Sequence, residues 1–259
     1  MYYIIQERLY KEENWKNLVN SLDRLGLDYE IVKLLPFVDD IEFHTDRKDV
    51  FPFGAVKMSR ISRKYGWYPG SQLNENHDYL VYSKYYGENL LNYDSRIIKF
   101  GDESFFNKEV FFARPTEDTK VFTGRTFDME QWEEMRNNLL TNGHSSVLTK
   151  DTLIQISSVK RIQKEIRFWI VKGKPVTASI YKLGGVYYTS NIVDEEAYEF
   201  VEKMVRLFEL NEAFIMDICL TEDKYKIVEC GCINSAGFYK ADMNKLIISL
   251  EEAFNYDRK

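Results

Sequence analysis

Two apolar runs, residues 214–220 and 225–232, flank a short polar turn, a pattern that reads as a β-hairpin. Each run carries one carboxylate where a packed strand wants a hydrophobe: Asp217 in the first and Glu229 in the second. A lone buried carboxylate costs several kcal/mol unless it is paired, and two in adjacent strands also repel each other. A bound divalent cation resolves both problems. If residues 222–224 form a three-residue loop, Asp217 lies directly opposite Glu229, with Cβ atoms about 5 Å apart on one face. A four-residue loop puts the two on opposite faces. Asn234 follows five residues after Glu229 and adds a neutral oxygen. Asp, Glu and Asn are the hard donors that Mg²⁺ takes when phosphates complete its shell. The plainer alternative is an exposed edge hairpin whose acids face water.

A chain of 259 residues is long enough to bury a real core, as one large domain or two modest ones. The net charge of −6 argues against a non-specific nucleic-acid binder, which needs a broad basic face, and leaves room for a local basic pocket. No apolar run approaches the ~18 residues that span a bilayer. The first residues turn acidic and polar too soon for a signal peptide, so the expected location is the cytoplasm, with no membrane partner. Cys219, Cys230 and Cys232 cluster in the hairpin; they lack the spacing of a zinc knuckle and read as inert core thiols.

The first third of the chain alternates strand-like and helix-like segments. Residues 2–6, 29–35 and 50–56 read as strands, and 13–25 and 58–65 as helices ended by Gly26 and Gly66. That alternation suggests an α/β layer with a mostly parallel sheet. Residues 79–85 fit either a helix or a strand. From residue 110 onward the character changes to hairpins, with helices at 127–140, 195–208 and 245–254, and Asp128 as an N-cap candidate. Residues 146–148 and 152–156 read as strands.

A second hairpin, 165–171 with 176–181, turns at Lys172-Gly173-Lys174. Arg167 lies inside its first strand between Ile166 and Phe168, Lys182 closes its second, and Lys120 follows an earlier strand and turn. A strand-embedded Arg either pairs with an acid or snorkels to solvent. Three dispersed cations and three oxygen ligands at strand ends are the set that phosphoryl chemistry uses. The stretch Gln155-Ile156-Ser157-Ser158-Val159 offers backbone donors and acceptors to a base.

In this order the parts resemble the ATP-grasp superfamily of ATP-dependent carboxylate–amine ligases, and most of all a small clade found in phages and bacteria. The resemblance covers residues 110–239. It sets FFARPTEDTK in the place of a strand ending in a basic residue and proline followed by a phosphate-binding lysine, which implies roles for Arg114 and Lys120. LIQISSV takes the place of the adenine-contacting linker, with Gln155, Ile156 and Ser158. EIRFWIVKGKPVTASIYK matches an acid-x-Arg strand, a turn and a strand ending in a cation, here Glu165, Arg167 and Lys182. Lys182 departs from the Arg that related ligases often carry there. Asp217 and Glu229 match the two Mg²⁺-binding strands. The Asn of the Glu-x-Asn pattern is missing, since position 231 is glycine, and Asn234 is the nearest substitute.

The resemblance implies an α/β class, α+β in its C-terminal part. The expected fold is ATP-grasp: an N-terminal Rossmann-like lobe over residues 1–100 and a nucleotide-binding domain of two subdomains over 101–259. It further implies ATP and Mg²⁺ as cofactors. A carboxylate would attack the γ-phosphoryl group, and an amine would then displace phosphate to form an amide. Arg167 and Lys182 would act on the transferring group. Arg114, Lys120, Gln155, Ile156, Ser158, Glu165 and Arg167 would bind the nucleotide, and Asp217, Glu229 and Asn234 the metal. The hairpin around Gly184-Gly185, or the region near Gly124, would exclude water, while Ser235 and Tyr239 would line the substrate pocket. The partner is a small-molecule or peptide substrate with carboxylate and amine, with no nucleic acid. The rival from another class is a nucleotide-dependent assembly factor that ligates nothing.

Overall fold

The computed structural model describes residues 1–8, 12–102, 109–117, 122–142, 148–222 and 224–255. Three sheets organise it. The first is parallel, with β1 (Tyr2–Gln6) between β2 (Tyr29–Val32) and β3 (Val50–Phe53). A central parallel strand is covered on both faces and therefore reads as a continuous apolar run, as Tyr3, Ile4 and Ile5 do. Ile4 and Val50 pack under α2 (Val56–Tyr65), with Met58, Ile61 and Trp67. Tyr3, Ile5, Phe51 and Phe53 face the opposite way, onto α1 (Glu12–Leu25) and the closing helix α6 (Met243–Asn255). The segment 79–86, open between helix and strand, is a helix, α3 (Tyr79–Tyr86), because the Asp78 side chain accepts from Leu80 N and caps it.

The second sheet is antiparallel, in the order β4 (Arg96–Lys99), β7 (Leu153–Ser157), β5 (Val110–Pro115), β6 (Arg125–Asp128). Helix α4 (Met129–Asn142) covers it, with Trp132 against Phe100, Phe111 and Phe127. Asp128 does cap this helix: its carboxylate accepts from Gln131 N while the Gln131 side chain accepts from Asp128 N. The strand expected at 146–148 falls mostly outside the described residues, and Leu148 belongs to no strand. A division at residue 100 does not coincide with a break in packing, since β4 pairs with β7 and so joins the sheet of the following segment.

The third sheet has five antiparallel strands, β10 (Val186–Ser190), β9 (Lys174–Leu183), β8 (Lys164–Val171), β11 (Ala213–Leu220) and β12 (Tyr225–Cys232), in that order. The β8–β9 turn needs two residues, Lys172 and Gly173, both at positive φ (47° and 73°), the backbone of a tight hairpin turn. Side chains alternate across the sheet. Ile166, Phe168, Ile170, Phe214, Met216 and Ile218 face α3 and α5 (Glu195–Leu207). Trp169, Val171 and Ile215 face α6 and the first sheet. Further along that second face come Glu165, Arg167 and Asp217, where the apolar surface gives way to charge. The three cysteines are free and buried, and no helix among the described residues is long and apolar enough to cross a membrane.

Candidate active site

The register across β8, β11 and β12 sets Arg167 opposite Asp217 and Asp217 opposite Glu229, in one row across three strands. The route to that register is not the three-residue loop. Leu220 pairs with Tyr225, so four residues turn the corner, and Ile218 pairs with Ile227. A bulge between Asp217 and Ile218 then places Glu229, not Val228, opposite Asp217. The extra residue restores the face that the longer loop would have lost.

These side chains form one wall of a cavity of about 750 Å³ between the five-stranded and four-stranded sheets. From the facing sheet come Phe112, Arg114 and residues 123–126. Gly124 allows that approach: a Cβ there would lie 2.8 Å from Phe112 Cζ and 3.0 Å from Arg114 Cβ. Leu91, Val159, Ile162 and Val228 add apolar surface to its lining.

Arg167, Arg114 and Lys182 each meet an acid. Arg167 donates from Nε and Nη2 to the two oxygens of Asp217, both at 2.8 Å, and from Nη1 to the carbonyl of Gly237 at 3.3 Å. Complete burial pushes the Asp217 carboxyl up, against the pull of Arg167 and with the push of Glu229 and Glu165. Arg114 reaches across the cavity to Glu229 at 2.6 Å. Glu165 accepts from Lys182 at 3.0 Å and from the Tyr181 hydroxyl at 2.8 Å. Tyr181 stacks on Tyr239 at 5.0 Å, and the Arg167 guanidinium lies 5.2 Å from the Tyr239 ring. Tyr239 sits at φ 49°, a left-handed conformation rare for a bulky residue, at the cavity wall.

The structure therefore gathers Arg114, Ser158, Glu165, Arg167, Lys182, Asp217 and Glu229 around one space. Lys120 lies outside the described residues. Gln155 and Ile156 are buried behind the wall: the Gln155 carboxamide donates to Ser95 Oγ at 3.1 Å, and Ile156 packs under α4. Asn234 is a correction. It does not reach the cavity, because its carboxamide is spent on the first sheet's connections. Its Oδ1 accepts from Gln72 N at 2.7 Å, and its Nδ2 donates to the carbonyls of Pro52 at 2.7 Å and Gly70 at 3.4 Å. Of the two residues expected to line a substrate pocket, Tyr239 borders this cavity and Ser235 is not among its lining residues.

Sequence reasoning missed Leu91, Asn92 and Lys160. Leu91 arrives through a backbone hydrogen bond to Ile227, a pairing with no local signal. Lys160 is held by Asp94 at 2.7 Å, and a lone Lys after a strand carries nothing to mark it.

Among the described residues no three His, Cys, Asp or Glu side chains gather as a ready metal cage. The two facing carboxylates suit a cation that brings its other ligands with it, since Mg²⁺ is held by one or two carboxylates together with phosphates. The Glu229 charge raises the proton affinity of Asp217, and beside such a pair a divalent charge is stabilising.

Residues 51–250 match the family described as ATP-grasp domain, R-2K clade family 3. No curated protein matches the chain in sequence. Among solved structures, the D-alanine–D-alanine ligase of Bacillus anthracis is similar with a TM-score of 0.69 at 12% identity, over 100% of this chain and 98% of that one. The D-cycloserine synthetase DcsG is similar with a TM-score of 0.63 at 9% identity, over 97% and 98%. The ligase PsnB, solved with a precursor variant, Mg and ADP, gives 0.55 at 11% identity, over 97% and 96%. Identities this low speak to the fold.

Proposed function

The chain belongs to this ATP-grasp family, and from that premise we propose that it is an ATP- and Mg²⁺-dependent ligase joining a carboxylate to an amine through an acyl phosphate. The observation that carries this reading is the row Arg167–Asp217–Glu229 facing Arg114 across the cavity between the two sheets. Asp217 and Glu229 would hold Mg²⁺, which when bound draws charge from the phosphate oxygens.

The chain's own residues do the rest by alignment and charge. Leu91, Val159, Ile162 and Val228 offer apolar surface to the base, and Ser158 offers a hydroxyl beside it. Arg114 and Lys182 supply positive charge from opposite walls. Arg167 holds Asp217 in place and ties it to Gly237, so the segment leading to Tyr239 is fixed relative to the acids. Glu165 orients Lys182 and Tyr181 together. A substrate carboxylate oxygen attacks the γ-phosphorus, and the bond to the ADP oxygen breaks. An amine nitrogen then attacks the acyl carbon; phosphate leaves, and the nitrogen loses a proton. Acyl phosphates hydrolyse, so water must be kept out. Tyr187, on the edge strand β10 beyond the Gly184-Gly185 turn, lines the cavity and is placed to cover it.

The test is hydroxylamine trapping. With Mg·ATP, hydroxylamine and pooled carboxylic acids or peptides, the expected result is a hydroxamate and stoichiometric ADP, both lost in Glu229→Ala. ATP that binds while no pool yields ADP would favour the non-ligating assembly factor, which the absence of Asn234 from the metal set also supports.

A further inference from the structure

β10 is the outermost strand of the five-stranded sheet, and its outer edge pairs with no strand among the described residues. Natural sheets blunt such an edge with charge, proline or a covering element. Here the strand reads Val-Tyr-Tyr-Thr-Ser, without charge or proline. Val186, Tyr187 and Tyr188, with Leu183 and Ile192 just beyond the strand, are 48–82% exposed. A bulge between Tyr187 and Ser190 interrupts the ladder with β9, so the regular part of the edge is short. The edge also borders the cavity: Tyr187 lines it, and so does Lys182, the residue paired with Tyr187.

We infer that this edge takes the carboxylate substrate as a peptide, bound in extended form as a sixth strand beside β10. The inference rests on the ligase reading above and narrows its substrate from any carboxylate to a polypeptide segment. The N–H and C=O groups along the outer edge of β10 bind an extended backbone by strand addition, and side chains alternating along the added strand supply the specificity. An added strand lies about 4.8 Å from β10 and about 10 Å from β9. The peptide residue beside Tyr187 shares its face and overhangs the cavity on the side that carries Lys182. Lys182 gives one N–H to Glu165, and an ammonium carries three. That cation draws a carboxylate, not an amine, to this side of the cavity. The next peptide residue turns to the opposite face, where Val186 and Leu183 are paired and exposed, so an apolar side chain suits it. A second copy of the chain does not suit the edge as well. A stable dimer needs roughly 20–30 residues a side, whereas a short interrupted strand matches a few residues of peptide.

Hydroxylamine trapping with Mg·ATP and the full chain tests this on three probes: a randomised pool of acetylated octapeptides with free carboxylates, the same pool N-methylated at every residue, and N-acetyl amino acids. The unmethylated peptides are expected to give hydroxamate with an apparent kcat/KM at least about tenfold above either other probe, since each backbone hydrogen bond lost is worth about 1 kcal/mol. Val186→Lys, a change at an exposed position, should raise the apparent KM for peptides about three- to tenfold, and leave the KM for Mg·ATP within about twofold of wild type. Equal turnover of methylated and unmethylated peptides, or of peptides and N-acetyl amino acids, overturns the inference and leaves the ligase reading standing. Hydroxamate from no probe, and from no other carboxylic acid tried, removes the ligase reading and the inference together. A dimer in sedimentation that Val186→Lys dissociates gives the edge to a second copy and likewise overturns the inference.

Discussion

Arg167 and Asp217 place a full ion pair next to the buried Trp169, Val171 and Ile215 on the same sheet face. Each charge is tolerable there only because the other is present. Arg167→Gln should therefore cost about 3–5 kcal/mol by leaving Asp217 buried and uncompensated. The double variant Arg167→Gln/Asp217→Asn should recover most of that loss. Chemical denaturation of both variants checks this, and equal losses in the single and double variants would contradict it. His77 is a second buried polar residue with a measurable signature. Burial pulls its pKa down to about 4, and its Nδ1 lies 2.8 Å from Asn74 Oδ1. A pKa below the unfolded value means the unfolded chain binds the extra proton between roughly pH 6.5 and 4. Stability is then fully present above 6.5 and falls as pH drops toward 4. The loss should reach roughly 3 kcal/mol, and His77→Gln should flatten the melting profile across that window. A wild-type profile already flat there would rule this out. In the sequence, Asp217 and Arg167 stood out as charges inside apolar runs, whereas nothing adjacent to His77 told of its burial.

At the scale of elements, the β11–β12 hairpin shows how a correct pairing was reached by a different route. The facing of Asp217 and Glu229 followed from the two apolar runs and one assumed loop length. The actual loop is a residue longer, and a bulge at 227–228 compensates. Bulges carry little sequence signature, because they depend on what the neighbouring strand and the opposite face demand. Here the demand is plain: without the extra residue Glu229 would leave the face it shares with Asp217. The β8–β9 hairpin was legible because Lys172-Gly173 is a turn signal in its own right. The start of α4 was misplaced by two residues, since Phe127 and Asp128 pair with β5 before the helix begins.

At the scale of the whole molecule, the cavity exists because two sheets built from consecutive stretches of chain, 96–157 and 164–232, face each other, with the first sheet braced against one of them. Asn234 is the brace. Its carboxamide meets Pro52, Gly70 and Gln72, and its own carbonyl accepts from Gly54 N at 2.9 Å. Asn234→Ala should leave these buried groups without partners, at about 2–4 kcal/mol. For a chain of this size that is a melting temperature lower by about 5–10 °C. Affinity for Mg·ATP should stay within about twofold, whereas loss of a metal ligand would weaken it tenfold or more. Melting and calorimetry on the same variant separate the two roles.

The sequence by itself determined which segments pair locally and which charges lie out of place in them. Period-two alternation, turn residues and helix stops are properties of neighbours along the chain. They were enough to single out Arg167, Asp217 and Glu229 and to suggest what chemistry such a set serves. Only the tertiary structure decided which cation meets which acid, that Leu91 and Lys160 join the cavity, and that Asn234 serves the first sheet instead of a metal. Those outcomes depend on groups distant in sequence meeting once the chain has packed, as Arg114 meets Glu229 and the Pro52 carbonyl meets the Asn234 carboxamide. A linear pattern holds no record of such meetings, because distance and burial set them.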